Sequence, residues 1–138
     1  MAKKDKYHEQ VKRALIKDGL TITHDPYKVK WGSPTFQVDL GAEKLLAAEK
    51  GTKKIAVEVK SFINPSFFTA FYEAVGKFSS YQEAIENREP DRELFVGVPR
   101  KIFDSYFEEL VVKAVVKKSN MHLVIYDPEE EIIVQWKK

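Results

Sequence analysis

The stretch Lys53-Lys54-Ile55-Ala56-Val57-Glu58-Val59-Lys60 decides the fold, because it is an apolar segment that carries a carboxylate and an amine on one face. Side chains two residues apart on a β-strand point to the same side, so the branched apolar residues alternate with Glu58 and Lys60. Burying both charges costs free energy unless they pair with each other, or with a metal and a phosphate. The pattern predicts a buried strand with a functional site. The alternative is a half-exposed ion pair on an edge strand, where lysine is a common protective residue.

A second acid strengthens the first interpretation. Asp39 lies near the end of a short apolar run, Phe36-Gln37-Val38-Asp39-Leu40, which precedes the Glu58 strand. An aspartate followed by Glu-x-Lys on the next strand is the metal-binding pattern of one large group of nucleases. The sequence therefore predicts that Asp39 ends a strand beside Glu58 and faces the same ion.

The chemistry expected of this site is phosphodiester hydrolysis assisted by Mg²⁺ or Mn²⁺. Mg²⁺ is normally held by one or two carboxylates together with waters and substrate phosphate, and Asp39 and Glu58 would be those carboxylates. The backbone carbonyl of Val59 could donate a further oxygen. Lys60 would orient the attacking water or stabilise the developing negative charge. Glu9, on the first predicted helix, is expected to be an accessory carboxylate.

Composition bounds the class of protein. With 138 residues, of which 43% are hydrophobic and 32% charged, the chain is expected to form one folded domain over residues 1–138. The absence of cysteine excludes disulfides and thiolate zinc sites, and it fits a reducing cytoplasm. No apolar run approaches the ~20 residues of a membrane span, so we expect a cytoplasmic protein with no membrane partner. His8, His24 and His122 show no metal-binding or catalytic spacing and are expected at the surface or lightly packed.

Charge is distributed unevenly along the chain. The net charge is +2, but residues 1–60 hold 13 basic against 8 acidic residues, whereas residues 61–138 hold 10 against 13. A basic half that contains the candidate site is expected of a protein that meets a polyanion, although surface lysines are commonly just solvated. Tyr27 and Trp31, among lysines, could form a basic and aromatic nucleic-acid surface. A core tryptophan flanked by solvated lysines is the favoured interpretation.

Periodicity predicts a mixed α/β protein whose sheet is flanked by helices. The segment 42–50 is ambiguous between a short helix and a hairpin partner of the Glu58 strand, and the turn signal at its end slightly favours the hairpin. Helices are predicted at 5–17, 65–87 and 102–118, and strands near 20–23, 27–31, 36–39, 53–60, 94–98, 122–126 and 132–136.

Asp39 followed by Glu58-Val59-Lys60, in this order of elements, resembles the PD-(D/E)xK superfamily. The resemblance implies a restriction-endonuclease-like fold with the order α-β-β-β-α-β-α-β-β. Two positions depart from the superfamily pattern. Val38 stands where the superfamily has a proline, which leaves the metal ligand intact. Lys77 stands where many relatives carry glutamine, and it could contact phosphate or pair with Glu58.

Over nearly the whole chain the sequence is more closely similar to the XisH family, known as fdxN-element excision controlling factors. That family is associated with programmed site-specific excision of a DNA element, beside a separate recombinase and a companion protein called XisI. The resemblance implies DNA, XisI and a site-specific recombinase as partners, and it leaves a homo-oligomer open. The segments that carry it are the opening region with Ala2, Lys3, Asp5 and His8, then Val38–Glu43, Ile55–Phe62, and Phe71–Phe78 with Tyr81.

Two functions follow as expectations. The first is an excision controlling factor with a metal-dependent endonuclease-like site. The second is a non-catalytic accessory factor that binds DNA or protein, while the excision chemistry belongs to the recombinase. The intact acid and lysine positions favour the first, and the mild net charge of +2 favours the second.

Overall fold

The computed structural model describes residues 4–46, 51–63 and 65–138. Within these residues, no helix is both long and apolar enough to cross a bilayer. The described helices are α1 (His8–Lys17), α2 (Phe67–Arg88), α3 (Arg100–Tyr106) and α4 (Leu110–Lys118). The described strands are β1 (Thr21–His24), β2 (Tyr27–Lys30), β3 (Thr35–Val38), β4 (Leu40–Leu46), β5 (Gly51–Val59), β6 (Arg92–Pro99), β7 (Leu123–Asp127) and β8 (Ile132–Lys137).

Six strands form one mixed sheet in the order β1-β4-β5-β6-β7-β8. The pairs β5 with β6 and β6 with β7 are parallel, and the other three pairs are antiparallel. The Glu58 strand, β5, lies between β4 and β6, so the predicted buried strand is confirmed and the edge-strand alternative is wrong. The predicted class, a mixed α/β sheet flanked by helices, is also confirmed.

The two faces of the sheet are covered by different helices, because the side chains of β5 alternate between them. On one face, Ile55 and Val57 pack with the apolar stripe of α1, which includes Val11 and Leu15. On the other face, Ala56 belongs to the larger core that contains the aromatic stripe of α2 and buried residues of β2 and β3. Glu58 follows Ala56 by two residues and shares its face. The candidate site therefore opens on the α2 side.

The observed order of elements differs from the expected one in two places. Strands β2 and β3 pair only with each other and form a separate two-stranded sheet. The single helix predicted at 102–118 is broken between Tyr106 and Leu110. Apolar spacing continues across the break, but Phe107 turns into the core whereas Leu110 is 85% exposed. Periodicity alone could not detect that change of direction.

The hairpin prediction for the segment 42–50 is confirmed where the structure describes it. Strand β4 pairs antiparallel with β5 over Leu40–Leu46, while 47–50 lie outside the described residues. Ala2 and Lys3, which helped to carry the family resemblance, also lie outside them. The strand predicted to end at Asp39 ends at Val38 instead, and Asp39 forms the junction with β4.

Two predicted environments are wrong. Trp31 is not a core residue, because it lies in the turn after β2 and is 41% exposed. His8 is not at the surface: it is 3% exposed, because the first residue of α1 faces the sheet together with Val11. The aromatic stripe of α2 is core as predicted, with Phe67, Phe71 and Phe78 buried.

Candidate active site

A small cleft of about 150 Å³ lies where β4 begins, β5 ends and α2 crosses the sheet. Asp39, Glu58, Val59 and Lys60, which were predicted from the sequence, all line it. The predicted accessory Glu9 does not. The lining also includes Asp5, Gln37, Lys77 and Tyr81. We call this feature the carboxylate cleft.

Antiparallel pairing of β4 with β5 explains why the two acids meet. Leu40 is the register partner of Val57, so Asp39 lies beside Glu58 at the point where the two strands separate. The backbone N–H of Val59 donates a hydrogen bond of 2.7 Å to Oδ2 of Asp39. The backbone N–H of Asp39 donates a longer one, 3.3 Å, to Oε1 of Glu58. Each carboxylate is thus oriented by the backbone of the neighbouring strand.

Burial and crowding disfavour negative charge in the cleft. Glu58 is 7% exposed, and its pKa is raised to about 8, chiefly by burial and then by the adjacent Asp39 carboxylate. The pKa of Asp39 is also raised by burial, although the Val59 N–H opposes the rise. Burial and the nearby Glu58 raise the pKa of the Tyr81 phenol to about 12. The cleft therefore holds two carboxylates whose charge the protein itself compensates incompletely.

Two lysines approach the cleft from different elements. Nζ of Lys77, on α2, lies 3.9 Å from Oε2 of Glu58. Nζ of Lys60, just after β5, lies 3.7 Å from Oε2 of Glu73, also on α2. Glu73 and Lys77 are four residues apart, so they lie one turn from each other on the same side of the helix. The Lys77 ammonium lies beside Glu58, and the Lys60 side chain also lines the cleft but pairs with Glu73.

Asp5, like Gln37 and Tyr81, lines the cleft although sequence reasoning did not assign it to the site. It was expected at the start of α1, and Oδ1 does accept a hydrogen bond of 2.9 Å from the Tyr7 N–H. Its second oxygen, Oδ2, accepts one of 2.9 Å from the N–H of Ser61 at the end of β5. With both oxygens engaged by backbone groups, Asp5 fixes the N-terminal segment against the strand that carries Glu58. Two signals were available: its position before the first helical turn and its place in the opening region that carries the family resemblance.

Glu9 lies in a different group. Ligand atoms of His8, Glu9 and Asp25 lie within 4.8 Å of one another, the one such trio of acid or histidine side chains in the described part of the chain. Nε2 of His8 donates to Oδ1 of Asp25 at 2.7 Å. Lys12 already supplies a cation there, because its Nζ lies 2.8 Å from Oδ2 of Asp25. We therefore interpret the trio as an ion-pair network that fixes α1.

The donor set of the carboxylate cleft fits a hard divalent cation. Carboxylate oxygens of Asp39 and Glu58 line it, and no histidine is among the described lining residues. Oxygen ligands of this kind suit Mg²⁺ and Mn²⁺. Burial raises the pKa of both acids, and the adjacent Asp39 carboxylate adds to the rise at Glu58; a bound cation would favour the charged form of both.

Comparison with known proteins identifies the family of this chain. A family model described as XisH protein matches residues 1–134. The chain belongs to the XisH family. An XisH family protein from Nostoc punctiforme PCC 73102 is similar in structure, with 36% identity, a TM-score of 0.88, and coverage of 97% of this chain and 100% of that one. An fdxN element excision controlling factor protein from Anabaena variabilis has 36% identity, a TM-score of 0.87, and coverage of 96% and 98%. The sequence matches no curated protein.

The segments that resemble the XisH family converge on the cleft. The opening region supplies Asp5, the second segment Asp39, the third Glu58, and the segment on α2 supplies Lys77. These residues are far apart in the sequence, and the fold brings one from each segment to a single place. For a member of the XisH family, the carboxylate cleft is therefore the leading candidate for the functional site.

Proposed function

We propose that this XisH family protein acts in DNA-element excision and that the carboxylate cleft is a metal-dependent endonuclease site of the PD-(D/E)xK type. The observation that carries the proposal is the buried pair of Asp39 and Glu58, held together by reciprocal backbone hydrogen bonds with Lys60 beside them. The excision role follows the name of the Anabaena variabilis relative, an fdxN element excision controlling factor.

The order of elements supports placement in the restriction-endonuclease-like fold. When the β2 and β3 hairpin is set aside, and α3 and α4 are counted together, the chain runs α-β-β-β-α-β-α-β-β. Asp39 then stands at the start of the second strand and Glu58 near the end of the third. This order of elements is the one that the superfamily resemblance implies, whereas Asp39 was expected at the end of a strand.

The residues of the cleft have distinct roles in this proposal. Asp39 and Glu58 would hold Mg²⁺ or Mn²⁺, with the Val59 carbonyl as a further oxygen ligand. When bound, the ion supplies a water that deprotonates near neutral pH and neutralises charge on the phosphodiester. Lys60 orients that water or stabilises the developing negative charge, after its ammonium leaves Glu73. Lys77 contacts a phosphate oxygen near the acids.

The competing function is a non-catalytic accessory factor for a separate site-specific recombinase, working with XisI. One observation favours it: both lysines of the cleft already have carboxylate partners, Lys77 with Glu58 and Lys60 with Glu73. In that function the Lys77 ammonium neutralises Glu58 permanently, Lys60 stays paired with Glu73, and the cleft serves only the fold. The two functions differ in whether a metal ion binds.

Metal binding is tested by thermal unfolding with and without Mg²⁺ or Mn²⁺. An ion that binds only the folded protein stabilises it by about 2.7 kcal/mol when the free ion is at about 100 times its Kd. We expect this stabilisation in the native protein and not in Asp39→Ala or Glu58→Ala. Glu83→Ala, which removes an exposed acid of α2, is the matched control and should keep it. Equal shifts in all four proteins would overturn the proposal.

Catalysis is tested with Lys60→Ala. If the protein nicks DNA, this change should lower plasmid nicking at least about 100-fold while metal-induced stabilisation persists, because the amine acts on the water and the transition state. The assay is run with and without XisI, and excision is measured in cells that carry the same variant. Normal excision with Lys60→Ala would support the accessory function instead.

A further inference from the structure

The hairpin formed by residues 27–38, here called the wing, has two faces of opposite character. Tyr27, Val29 and Val38 point into the core and are buried. The register pairs Lys28 with Gln37 and Lys30 with Thr35, and all four of these residues are exposed. The outward face of the wing therefore presents two lysines and two polar side chains.

The two lysines are available to a ligand. From Pro26 to Val38 the sequence contains no acidic residue. Within the described part of the chain, neither Lys28 nor Lys30 has a carboxylate oxygen within 4.0 Å, in contrast to Lys60 and Lys77. Two positions along a strand span about 6.6 Å. That distance is close to the axial rise over two phosphate steps on one DNA strand, about 6.8 Å, which separates a phosphate from the next but one.

An exposed aromatic ring stands at the end of the lysine row. Trp31 follows β2 directly. Its backbone N–H donates a hydrogen bond of 3.3 Å to the carbonyl of Pro34, and this bond closes the turn. Its ring is 41% exposed, whereas the other tryptophan, Trp136, is half-buried and donates from Nε1 to Asp18 at 3.0 Å. An exposed indole beside cations suits contact with a nucleic acid, because it can stack on a base or a sugar.

The wing leads directly into the carboxylate cleft. Gln37, on its outward face, lines the cleft, and Asp39 follows the last residue of β3. The base of the wing is fixed, because the Tyr27 hydroxyl donates a hydrogen bond of 2.7 Å to Glu89 beyond the end of α2. A polyanion lying along the lysines would therefore meet the two acids without rearrangement of the hairpin.

We propose that the outward face of the wing binds the phosphate backbone of a DNA duplex and directs it to the carboxylate cleft. Lys28 and Lys30 contact alternate phosphates of one strand, and Trp31 contacts the duplex beyond them. The delivery step rests on the proposed function, but duplex binding by the wing does not require metal or catalysis. The two can therefore fail separately.

Binding is tested by fluorescence anisotropy of a labelled DNA duplex in the presence of a chelator. The double variant Lys28→Glu and Lys30→Glu should weaken binding at least about 10-fold and reduce the salt slope of log K by about 2, because two phosphate contacts are lost. The matched control is the double variant Lys117→Glu and Lys118→Glu. Both lysines are exposed on α4, and the two substitutions change the net charge by the same amount. Equal losses in both double variants would overturn the proposal, as would unchanged binding in the wing variant.

Trp31 gives a second readout that is independent of charge. Duplex binding should quench or shift the tryptophan emission of the native protein, and Trp31→Phe should abolish that change while the Trp136 emission persists. Poly-glutamate of matched charge is the competitor. If it displaces the duplex equally well, the wing is a general polyanion surface and the proposal is wrong.

Asp39→Ala separates this inference from the proposed function. The variant should lose metal-induced stabilisation and still bind the duplex with native affinity. If the native protein binds metal and the wing variant binds DNA normally, the proposed function stands and DNA binding by the wing is wrong. Native binding by Asp39→Ala, lost only in the wing variant, would support the wing whether or not the protein cleaves DNA.

Discussion

The two ends of β5 each border a buried charge, and the protein treats the two charges differently. Near the beginning of β5, Arg92 of the neighbouring strand β6 is 4% exposed, and its charge is matched by partners on all sides. It donates to Glu89, donates from a terminal nitrogen to the Ile55 carbonyl at 2.8 Å, and lies 4.4 Å from the centre of the Tyr27 ring. At the other end, Glu58 is 7% exposed beside a second carboxylate, and Lys77 is the one described residue whose ammonium lies within 4.0 Å of it, at 3.9 Å.

The contrast separates architecture from function. A buried charge with complete partners holds elements together, and the loss of a partner is costly. A buried charge with incomplete partners has a perturbed pKa, and such groups cluster at functional sites. Arg92 belongs to the first class because it donates to Glu89, just beyond α2, and to β5, while its guanidinium lies over the Tyr27 ring of the wing. Glu58 belongs to the second because burial, and then repulsion by Asp39, raise its pKa.

Breaking the matched end should have the largest effect on stability. Arg92→Met keeps the aliphatic stem but removes the guanidinium donors to Glu89 and to the Ile55 carbonyl, and should cost about 3–5 kcal/mol. Urea unfolding measures it. Arg88→Met removes an exposed cation from the end of α2 and should change stability by less than about 0.5 kcal/mol. A small effect at Arg92 would show that the two ends of β5 do not differ as described.

Glu58, at the mismatched end of β5, should make the free energy of unfolding depend on pH. The pKa of Glu58 is about 8 in the folded protein against an ordinary value of 4.5, so the folded state binds more protons between these values. Stability without metal should therefore fall as pH rises from 4.5 to 8, by about 2–4 kcal/mol from this residue.

Glu58→Gln isolates that contribution. The variant should match the native protein near pH 4 and exceed its stability near pH 9, in chelator, while Glu83→Gln should follow the native curve. Urea unfolding across the pH range measures the difference. If the curves of native protein and Glu58→Gln stay parallel, Glu58 is not the mismatched charge.

A smaller effect is expected from the hydrogen bond that joins the wing to the matched end. Tyr27→Phe removes the hydroxyl that donates to Glu89 but retains the ring beneath Arg92, and should cost about 1–2 kcal/mol. Tyr72→Phe, at an exposed position of α2, should be neutral. Denaturant midpoints give both values, and equal effects would place Glu89 outside the matched network.

The smallest effect on stability should come from Lys77, whose side chain is half exposed. Lys77→Gln should cost about 0.5 kcal/mol near pH 9 without metal, because solvent screens the pair. The same change removes a competing cation, so metal-induced stabilisation should increase. Lys101→Gln, at a more exposed ion pair, is the control. A decrease in metal-induced stabilisation would mean that Lys77 helps to assemble the metal site.

Much of the fold could be predicted from local pattern. Alternation in β5 and the aromatic spacing of α2 are each decided by burial of one face, so the sequence identifies both. The separate pairing of β2 with β3 could not be read, because a strand does not encode its partner. The break before Leu110 was equally hidden, since the apolar spacing continues although that side chain points to solvent.

The candidate site was predictable in part for a similar reason. Asp39, Glu58 and Lys60 follow from residue type and strand facing, which are local properties. The choice of Glu9 over Asp5 depended on how α1 packs against the sheet. The contact that decides it, from the Ser61 N–H to Asp5, spans 56 residues. No local pattern contains that distance.

The anchoring of the wing has a consequence for its motion. Tyr27, Val29 and Val38 share the core of α2, and Tyr27 is tied to Glu89, so the wing cannot detach without exposing that core. Its buried amides should therefore exchange with solvent deuterium only through global unfolding, with the same opening free energy as those of β6. The wing is then a rigid binding surface. Because the hairpin is already ordered, any conformational change on binding must occur in the DNA.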